Sequence, residues 1–399
     1  MVILRRQWVE KERLIFPLVQ VPLAMVQDTE DGKRAFLRNP FMWAGFALPL
    51  IATSLTALHA YYNFVPLVQQ MTSIPVFRNA FGLIIRLSFP MVGFSFLINL
   101  DIAFSLWFFS LLNTFLRGGL ALLGIASDQR LGIYGAAPIP IQAHQGQGAL
   151  FVLVLFGLWL ARGHLRQVWR KAVYGDESVD DSREIMSYRS AVLSLAGGYV
   201  TLVVWLTLSG LDLWAAILML SLAFLIFVGL TRIVAESGVA AAASPLIAAA
   251  TLVSATGSQV LGPSGMVGLA YAHVWSADIR TFVMASCAHS LKLSEHMGRN
   301  VRPLFWVLLL AILLSLVSSI CTILYLAYEY GGINLNSWFF DGGTRAPFEF
   351  IAQKLNTPTG PSLEGWVNTA LGAGFMTLLM AARHRLLWWP LHPVGYPIS

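Results

Sequence analysis

Long apolar runs, separated by short polar or basic stretches, dominate this sequence of 399 residues. A helix needs about 20 predominantly apolar residues to cross the hydrocarbon core of a bilayer, and several runs reach roughly that length. We therefore predict spanning helices at 41–62, 148–165, 190–208, 213–230, 301–328 and 366–382. The pattern predicts an all-α, polytopic membrane protein.

Composition agrees with this interpretation. Hydrophobic residues make up 57% of the chain and charged residues 12%, and the mean hydropathy is +0.67. A soluble domain carries about 25% charged residues, so a soluble fold is excluded. The net charge of +6 comes largely from Lys and Arg in loops beside the apolar runs, which is typical of membrane topology. The expected partner is the lipid bilayer, and no nucleic acid is expected.

Basic residues also predict the orientation of the chain. Lys and Arg precede the first apolar run, follow the last one and flank the loop 166–189, which places these parts in the cytoplasm. Residues 1–40 are basic and aromatic-flanked and contain prolines, which favours a cytoplasmic, interfacial segment. Residues 41–399 then form a single transmembrane domain, with 329–365 as a long external loop.

The apolar region 81–125 is harder to assign because Pro90 and Gly93 interrupt it. The predicted orientation requires this region to cross an even number of times, so we expect either two short crossings or a re-entrant hairpin. Asp101 lies just before its most apolar part. A carboxylate there suits a proton or cation site at a helix break, and also a cap that accepts backbone N–H groups.

The stretch 231–297 combines small residues with ionisable residues at the end of an apolar helix. Gly and Pro at 262–265 supply the backbone freedom for a reversal, and the orientation requires the stretch to begin and end on the same side. We predict a break near 257–268, with the Ala-rich arm packed against the helix that carries Arg232 and Glu236. Free backbone groups at the break would face a polar cavity, the predicted substrate site.

Candidates for a substrate or ion pathway are Asp101, Arg232, Glu236, His273, Asp278 and His289. The spacing of Arg232 and Glu236 is typical of an exposed helix pair or, if buried, of a gate or coupling site. His273 and Asp278 flank Trp275 near the predicted reversal, which favours a role in lining the pathway.

His289 and His296 are seven residues apart, about 10 Å along a helix, and this is too far for one metal ion. A polar stripe on a cytoplasmic or cavity-facing helix is the alternative for His289. The sequence contains no HExxH, GxSxG, P-loop or CxxC pattern, so no enzyme, metal or cofactor is predicted.

Three motifs carry a resemblance to a known family. They are LRRQWVEKERLIFPLVQVPL at 4–23, TRIVAESG at 231–238 and LHPVGYPIS at 391–399. In combination they resemble a large uncharacterised family of bacterial multi-pass membrane proteins that is distantly similar to oligopeptide transporters. The resemblance implies an oligopeptide-transporter-like fold with broken or re-entrant helices in the bacterial inner membrane. Family members usually have further spans on both sides, so the chain would be a fragment, a split gene product or a shortened member.

Two classes of function follow. Internal breaks, small-residue helices and ionisable groups near membrane depth favour a secondary, ion-coupled transporter of small peptides or similar polar solutes. The spans missing relative to the family favour a non-transporting membrane subunit or scaffold, with partner subunits or further copies of the chain.

Overall fold

The protein is described by a computed structural model for residues 1–26, 35–78, 81–135, 137, 139–277, 283–296, 301–386 and 388–399. It is mostly helical, at 73%. Its helices in chain order are α1 (Val2–Arg6), α2 (Gln20–Val26), α3 (Ala35–Arg38), α4 (Pro40–Tyr61), α5 (Phe89–Ser95), α6 (Leu100–Leu122), α7 (Pro140–Leu160), α8 (Arg162–Tyr174), α9 (Tyr188–Leu208), α10 (Leu213–Ser237), α11 (Ala248–Thr256), α12 (Ser258–Ser276), α13 (Met284–Leu293), α14 (Pro303–Tyr330), α15 (Gly343–Asn356) and α16 (Leu363–Arg385).

Seven of these helices are long and apolar enough to cross a membrane, counting only described residues: α4, α6, α7, α9, α10, α14 and α16. Each of the six predicted spans corresponds to one of them, and the seventh is α6. The prediction of a helical membrane protein with several spans is confirmed by the length and composition of these seven helices.

Helices α7, α10 and α16 are parallel, and their carboxyl ends lie together at what we call the basic end. Arg232 near the end of α10 lies against Gly157 of α7, and the end of α16 brings Arg383 to the same cavity. The amino-terminal segment covers this end, where His164 Nε2 lies 2.8 Å from the carbonyl oxygen of Ile3. At the opposite end of the molecule, the chain at 257 lies against the chain at 359–360.

The closest helix pair is α7 with α16, and its contact is backbone to backbone. A Cβ at Gly148 would lie 1.9 Å from the carbonyl oxygen of Thr369, and a Cβ at Gly372 would lie 1.9 Å from that of Gln145. Only glycine fits at both positions. Small residues allow such an approach between helices in a membrane, where dispersion contacts replace the hydrophobic driving force.

The chain after α10 is broken in the way that the sequence predicts. Residues 239–247 are not helical, α11 ends at Gly257 (φ 87°), and α12 is kinked at Gly262 (φ 64°). Helix α11 packs against α10, as does α13. The predicted break near 257–268 and the packing against the helix of Arg232 are therefore confirmed.

The region 81–125 contains neither two short crossings nor a re-entrant hairpin. Strands β1 (Met71–Val76) and β2 (Phe81–Arg86) form an antiparallel hairpin with Met71 opposite Arg86, and α6 is a single long helix. The turn residue Phe77 packs its ring edge-on against Phe115 of α6. The fold is thus not purely helical, because two short runs that contain β-branched Thr, Ile and Val pair as strands here.

Other segments also differ from expectation. The residues 1–19 fold onto the basic end of the protein and bury Trp8 and Phe16, so this part of the segment 1–40 packs against protein. The loop 329–365 contains α15, which buries Phe350 and Ile351 and packs against α12. The loop 166–189 begins within α8.

Candidate functional site at the basic end

A cavity of about 580 Å³ lies at the basic end, between α7, α10, α16 and the last residues of the chain. Its wall on α7 is apolar. The walls formed by α10, α16 and the last residues of the chain carry six ionisable side chains. They are Arg232, Glu236, Arg383, His384, Arg385 and His392. A mostly apolar cavity with a few convergent polar groups is the usual form of a small-molecule site.

Arg232 is held between two carboxylates. Its Nη2 lies 2.8 Å from Glu12 Oε2, and its Nε lies 3.5 Å from Glu236 Oε2. The Arg232 side chain is 13% exposed, so this is a mostly buried network and not an exposed helix pair. Gly157 leaves room for the guanidinium, since a Cβ there would lie 2.7 Å from Nη1. Removing one partner from such a network leaves a costly unpaired charge.

The carboxyl-terminal segment brings an imidazole to the same carboxylate. His392 Nε2 lies 3.4 Å from Glu236 Oε1. The backbone N–H of His392 donates to Ser105 Oγ of α6 at 2.6 Å, which fixes the segment in place. Burial, together with the positive charges of Arg383 and Arg232, lowers the pKa of His392 to about 4. The imidazole is therefore neutral at pH 7.

Asp101 joins this network through an arginine. Its Oδ2 lies 3.3 Å from Arg383 Nη2, and its side chain is 52% exposed. The cap of α6 is Asn99, whose side-chain oxygen accepts the N–H of Asp101. The interpretation of Asp101 as the helix cap is wrong, because Asn99 occupies that position and leaves Asp101 free to pair with Arg383.

Two further candidates, His273 and His289, do not line this cavity. His273 is buried, its Nδ1 lies 2.7 Å from the Leu269 carbonyl oxygen, and its ring contacts Tyr134 and Phe350. His289 of α13 packs edge-on against Phe16, with ring centroids 5.7 Å apart. Asp278 lies outside the described residues. The structure thus brings Arg232, Glu236 and Asp101 together and leaves His273 and His289 apart from them.

A second cavity, of about 330 Å³, lies at the opposite end of the molecule. Beneath it His144 of α7 is buried, with Nε2 2.9 Å from Gln129 Oε1 and 3.2 Å from Ser254 Oγ. Both partners line the second cavity, as does Ser362, which accepts from the Gln129 amide. The broken end of α11 at Gly257 is close to this cavity. The sequence predicts one site that combines the chain break with Glu236. In the structure the break at Gly257 lies near the second cavity, whereas Glu236 lines the first cavity.

The His144 cluster lies outside the spans predicted from the sequence, because the predicted span in this region begins only at residue 148. Helix α7 begins at Pro140, and its first turns bury Gln142, His144 and Gln147. The signal that indicates this helix is Pro140 itself, since proline is favoured in the first turn. Polar residues lower the hydropathy of a helix that is stable here because its side chains are hydrogen-bonded within the protein.

A thin layer of packed chain separates the two cavities. Along α7, His144 beneath the second cavity and Val152 in the first are about 12 Å apart at 1.5 Å per residue. Between them, a Cβ on Gly146 would lie 2.8 Å from Pro245 and 3.6 Å from the Pro397 carbonyl oxygen. The non-helical segment 239–247 and the short 3₁₀ helix Pro393–Ile398 therefore meet at Gly146, on the same face of α7.

These features define a helical protein with seven candidate membrane spans among its described residues, a cavity at each end and a break in the chain between α10 and α11. A family model matches residues 1–399, and the chain belongs to that family, which is described as a family of unknown function (DUF6785). Neither the curated proteins nor the solved structures contain a significant match to the chain. The uncharacterised family expected from the three motifs is confirmed, while the likeness to oligopeptide transporters stays a prediction.

Proposed function

We propose that this protein is a secondary, ion-coupled transporter of small peptides or similar polar solutes in the bacterial inner membrane, with an oligopeptide-transporter-like fold. The observation that carries the proposal is the pair of cavities on opposite sides of a layer about 12 Å thick. One cavity at each end of the bundle, with packed chain between them, is the arrangement expected of a transporter whose central site opens to each side in turn.

The chemistry of the basic-end cavity suits a solute that carries a carboxylate. Arg385 and His384 line it beside the Arg383–Asp101 pair, and among the described residues neither has an ion-pair partner. The apolar wall on α7 gives space for a side chain of the solute. Broken segments near membrane depth are also the usual position of binding sites in secondary transporters.

The test is uptake by purified protein in liposomes. A mixture of di- and tripeptides is supplied outside, an inward proton gradient is imposed, and mass spectrometry measures what accumulates. We expect uptake that protein-free liposomes do not show, reduced about tenfold or more in Arg385→Gln, because a hydrogen bond to a charged group contributes about 1.5–3 kcal/mol. Arg170→Gln on the exposed face of α8 is the matched control and should transport normally. If folded protein moves no peptide or other small polar solute, the proposal fails.

The alternative is a non-transporting membrane subunit or scaffold, and one observation favours it. Helix α14 buries no residue and α4 buries only Ala52, so both helices are free to pack against a partner or a second copy. Cys321 on α14 is exposed. Oxidation of membranes would then cross-link two chains through Cys321, whereas a chain that stays monomeric and transports solute contradicts the scaffold function.

A further inference from the structure

The charged groups around Glu236 do not balance. Arg232 contacts two carboxylates, Glu12 and Glu236, so this group of three side chains carries a net charge of −1 when all three are ionised. Arg385 also lines the cavity, but among the described residues it forms no ion pair with Glu236. Arg232 lies 2.8 Å from Glu12, and Arg383 lies 3.3 Å from Asp101.

Glu236 is the carboxylate left without a cation of its own. It lies 3.5 Å from the Nε of Arg232, which already pairs with Glu12, and 3.4 Å from His392, which is neutral at pH 7. Within the described part of the chain, Glu236 Oε2, Arg232 Nε and Glu12 Oε2 all lack a hydrogen bond, so Glu12 is joined to Arg232 by an ion pair at 2.8 Å and Glu236 only by the longer contact of 3.5 Å. A charge in a mostly desolvated site without a partner is costly, and a proton removes that cost.

Among the described residues, the other elements packed around the cavity supply no further anion to this site. Helix α7 contributes only apolar side chains to the cavity wall. The charged and titratable groups that share the space with Glu236 are Arg232 from its own helix, Glu12 from the amino-terminal segment, Arg383, His384 and Arg385 from α16, Asp101 of α6 through Arg383, and His392 from the carboxyl-terminal segment.

A metal cation is a poor match for the same place. Hard cations take several oxygen ligands, whereas the nearest groups to the Glu236 carboxylate are a guanidinium and an imidazole. The positive charge of Arg232 would also repel a sodium ion. A proton needs only one oxygen and no coordination shell.

We propose that the coupling ion is a proton and that Glu236 carries it, an inference that rests on the proposed transport function. The proton comes from hydronium in the basic-end cavity: an O–H bond of hydronium breaks, leaving water, as the O–H bond to Glu236 Oε2 forms, and release to water reverses both changes. When Glu236 is ionised, Arg232 is shared between Glu236 and Glu12. When Glu236 is protonated, Arg232 is held by Glu12 alone, so protonation changes how the amino-terminal segment is tied to α10.

Infrared spectroscopy of the purified protein at pH 7 tests the proton site without any transport. The carbonyl stretch of a protonated carboxyl group should be present, should shift in deuterium oxide and should be lost in Glu236→Gln, which keeps the shape of the protonated side chain. Glu236→Asp should move the band, while Glu12→Asp and the exposed control Glu349→Gln should leave it in place. A band that survives Glu236→Gln, or that moves in Glu12→Asp, overturns the assignment.

A second measurement tests coupling. A pH difference of one unit corresponds to a factor of about 10 in accumulation per coupled proton. Glu236→Gln should keep exchange of solute between the two sides and lose accumulation driven by the gradient. If the infrared band is present and no solute moves, the transport function fails and the proton site stands. If solute moves while Glu236→Gln still accumulates it with the gradient, the proton assignment fails and transport stands.

Discussion

Arg5 and Glu184 form a bidentate ion pair, although 179 residues separate them in sequence. Arg5 Nε donates to Glu184 Oε2 at 2.7 Å and Nη2 donates to Oε1 at 2.8 Å. Their side chains are only 7% and 2% exposed. This pair fastens the amino-terminal segment, which also carries Glu12 of the Arg232 network, to the loop before α9.

We predict that Arg5→Ala lowers the free energy of unfolding by about 3–5 kcal/mol, because it leaves Glu184 buried and unpaired. The neighbouring Arg6→Ala should cost less than about 1 kcal/mol, because Arg6 is 37% exposed and its pair with Glu10 is at the surface. Denaturant unfolding in detergent measures both. Equal losses in the two variants would contradict the importance of the buried pair.

The crossing of α7 and α16 predicts opposite effects for two glycines of one helix. Gly372→Ala places a methyl group 1.9 Å from the Gln145 carbonyl oxygen, so the helices must separate, at a cost of about 1–3 kcal/mol or more. Gly374→Ala meets nothing within 4 Å and should be neutral or stabilising by up to about 1 kcal/mol. Thermal unfolding compares them. A Gly372→Ala protein as stable as the Gly374→Ala protein would show that the close crossing is absent.

Protonation of His392 predicts a loss of stability in mild acid. The pKa of His392 in the folded protein is about 4, below its ordinary value of 6.5, so the neutral imidazole costs no stability above pH 6.5. As the pH falls from 6.5 to 4, the unfolded chain binds a proton that the folded chain does not bind. The free energy of unfolding therefore falls by roughly 3 kcal/mol. Melting temperatures of the wild type and His392→Gln between pH 7 and 4.5 measure it, and the variant should show the weaker dependence.

A control variant for this prediction weakens the packing of the carboxyl-terminal segment without removing a titratable group. Asn113 Nδ2 donates to the Ser399 carbonyl oxygen at 2.9 Å, so Asn113→Ala should lower the melting temperature at every pH and keep the wild-type slope. Identical slopes for wild type and His392→Gln would show that the imidazole is not buried in neutral form.

The charge asymmetry of the loops predicts that 166–189 is cytoplasmic and 329–365 external. Ser178 and Ser337 are exposed in these two regions, so each can carry a single cysteine in a background without Cys287 and Cys321. A membrane-impermeant thiol reagent added to intact cells should label Ser337→Cys and spare Ser178→Cys. Labelling of Ser178→Cys from outside would reverse the orientation.

The helices with uniformly apolar sequences were predictable, and so was the break around Gly257. Their signals are local: about 20 apolar residues for a span, and Gly with Pro for a reversal. The hairpin of β1 and β2 was not predictable in the same way, because six-residue apolar runs are compatible with either secondary structure. Pairing of Met71 with Arg86 becomes visible only in the fold.

The candidate site was only partly predictable for a related reason. The i, i+4 spacing of Arg232 and Glu236 is visible in the sequence, but their partners Glu12 and His392 come from the two terminal segments of the chain. Whether Arg232 is exposed or buried depends on those segments. The burial of His144 depends in the same way on a distant segment, because its partner Ser254 lies on α11.

The polar first turns of α7 also have a consequence for the order of synthesis. The helix that packs most closely against them is α16, which begins about 200 residues after α7 ends. At about 5–20 residues per second, the ribosome needs roughly 10–40 s to make that distance. During this interval α7 is in the bilayer or the translocon without its closest neighbour. The partners available to Gln142 and His144 in this interval are the Asn113 carbonyl oxygen and Gln129 Oε1, both of which are made before α7.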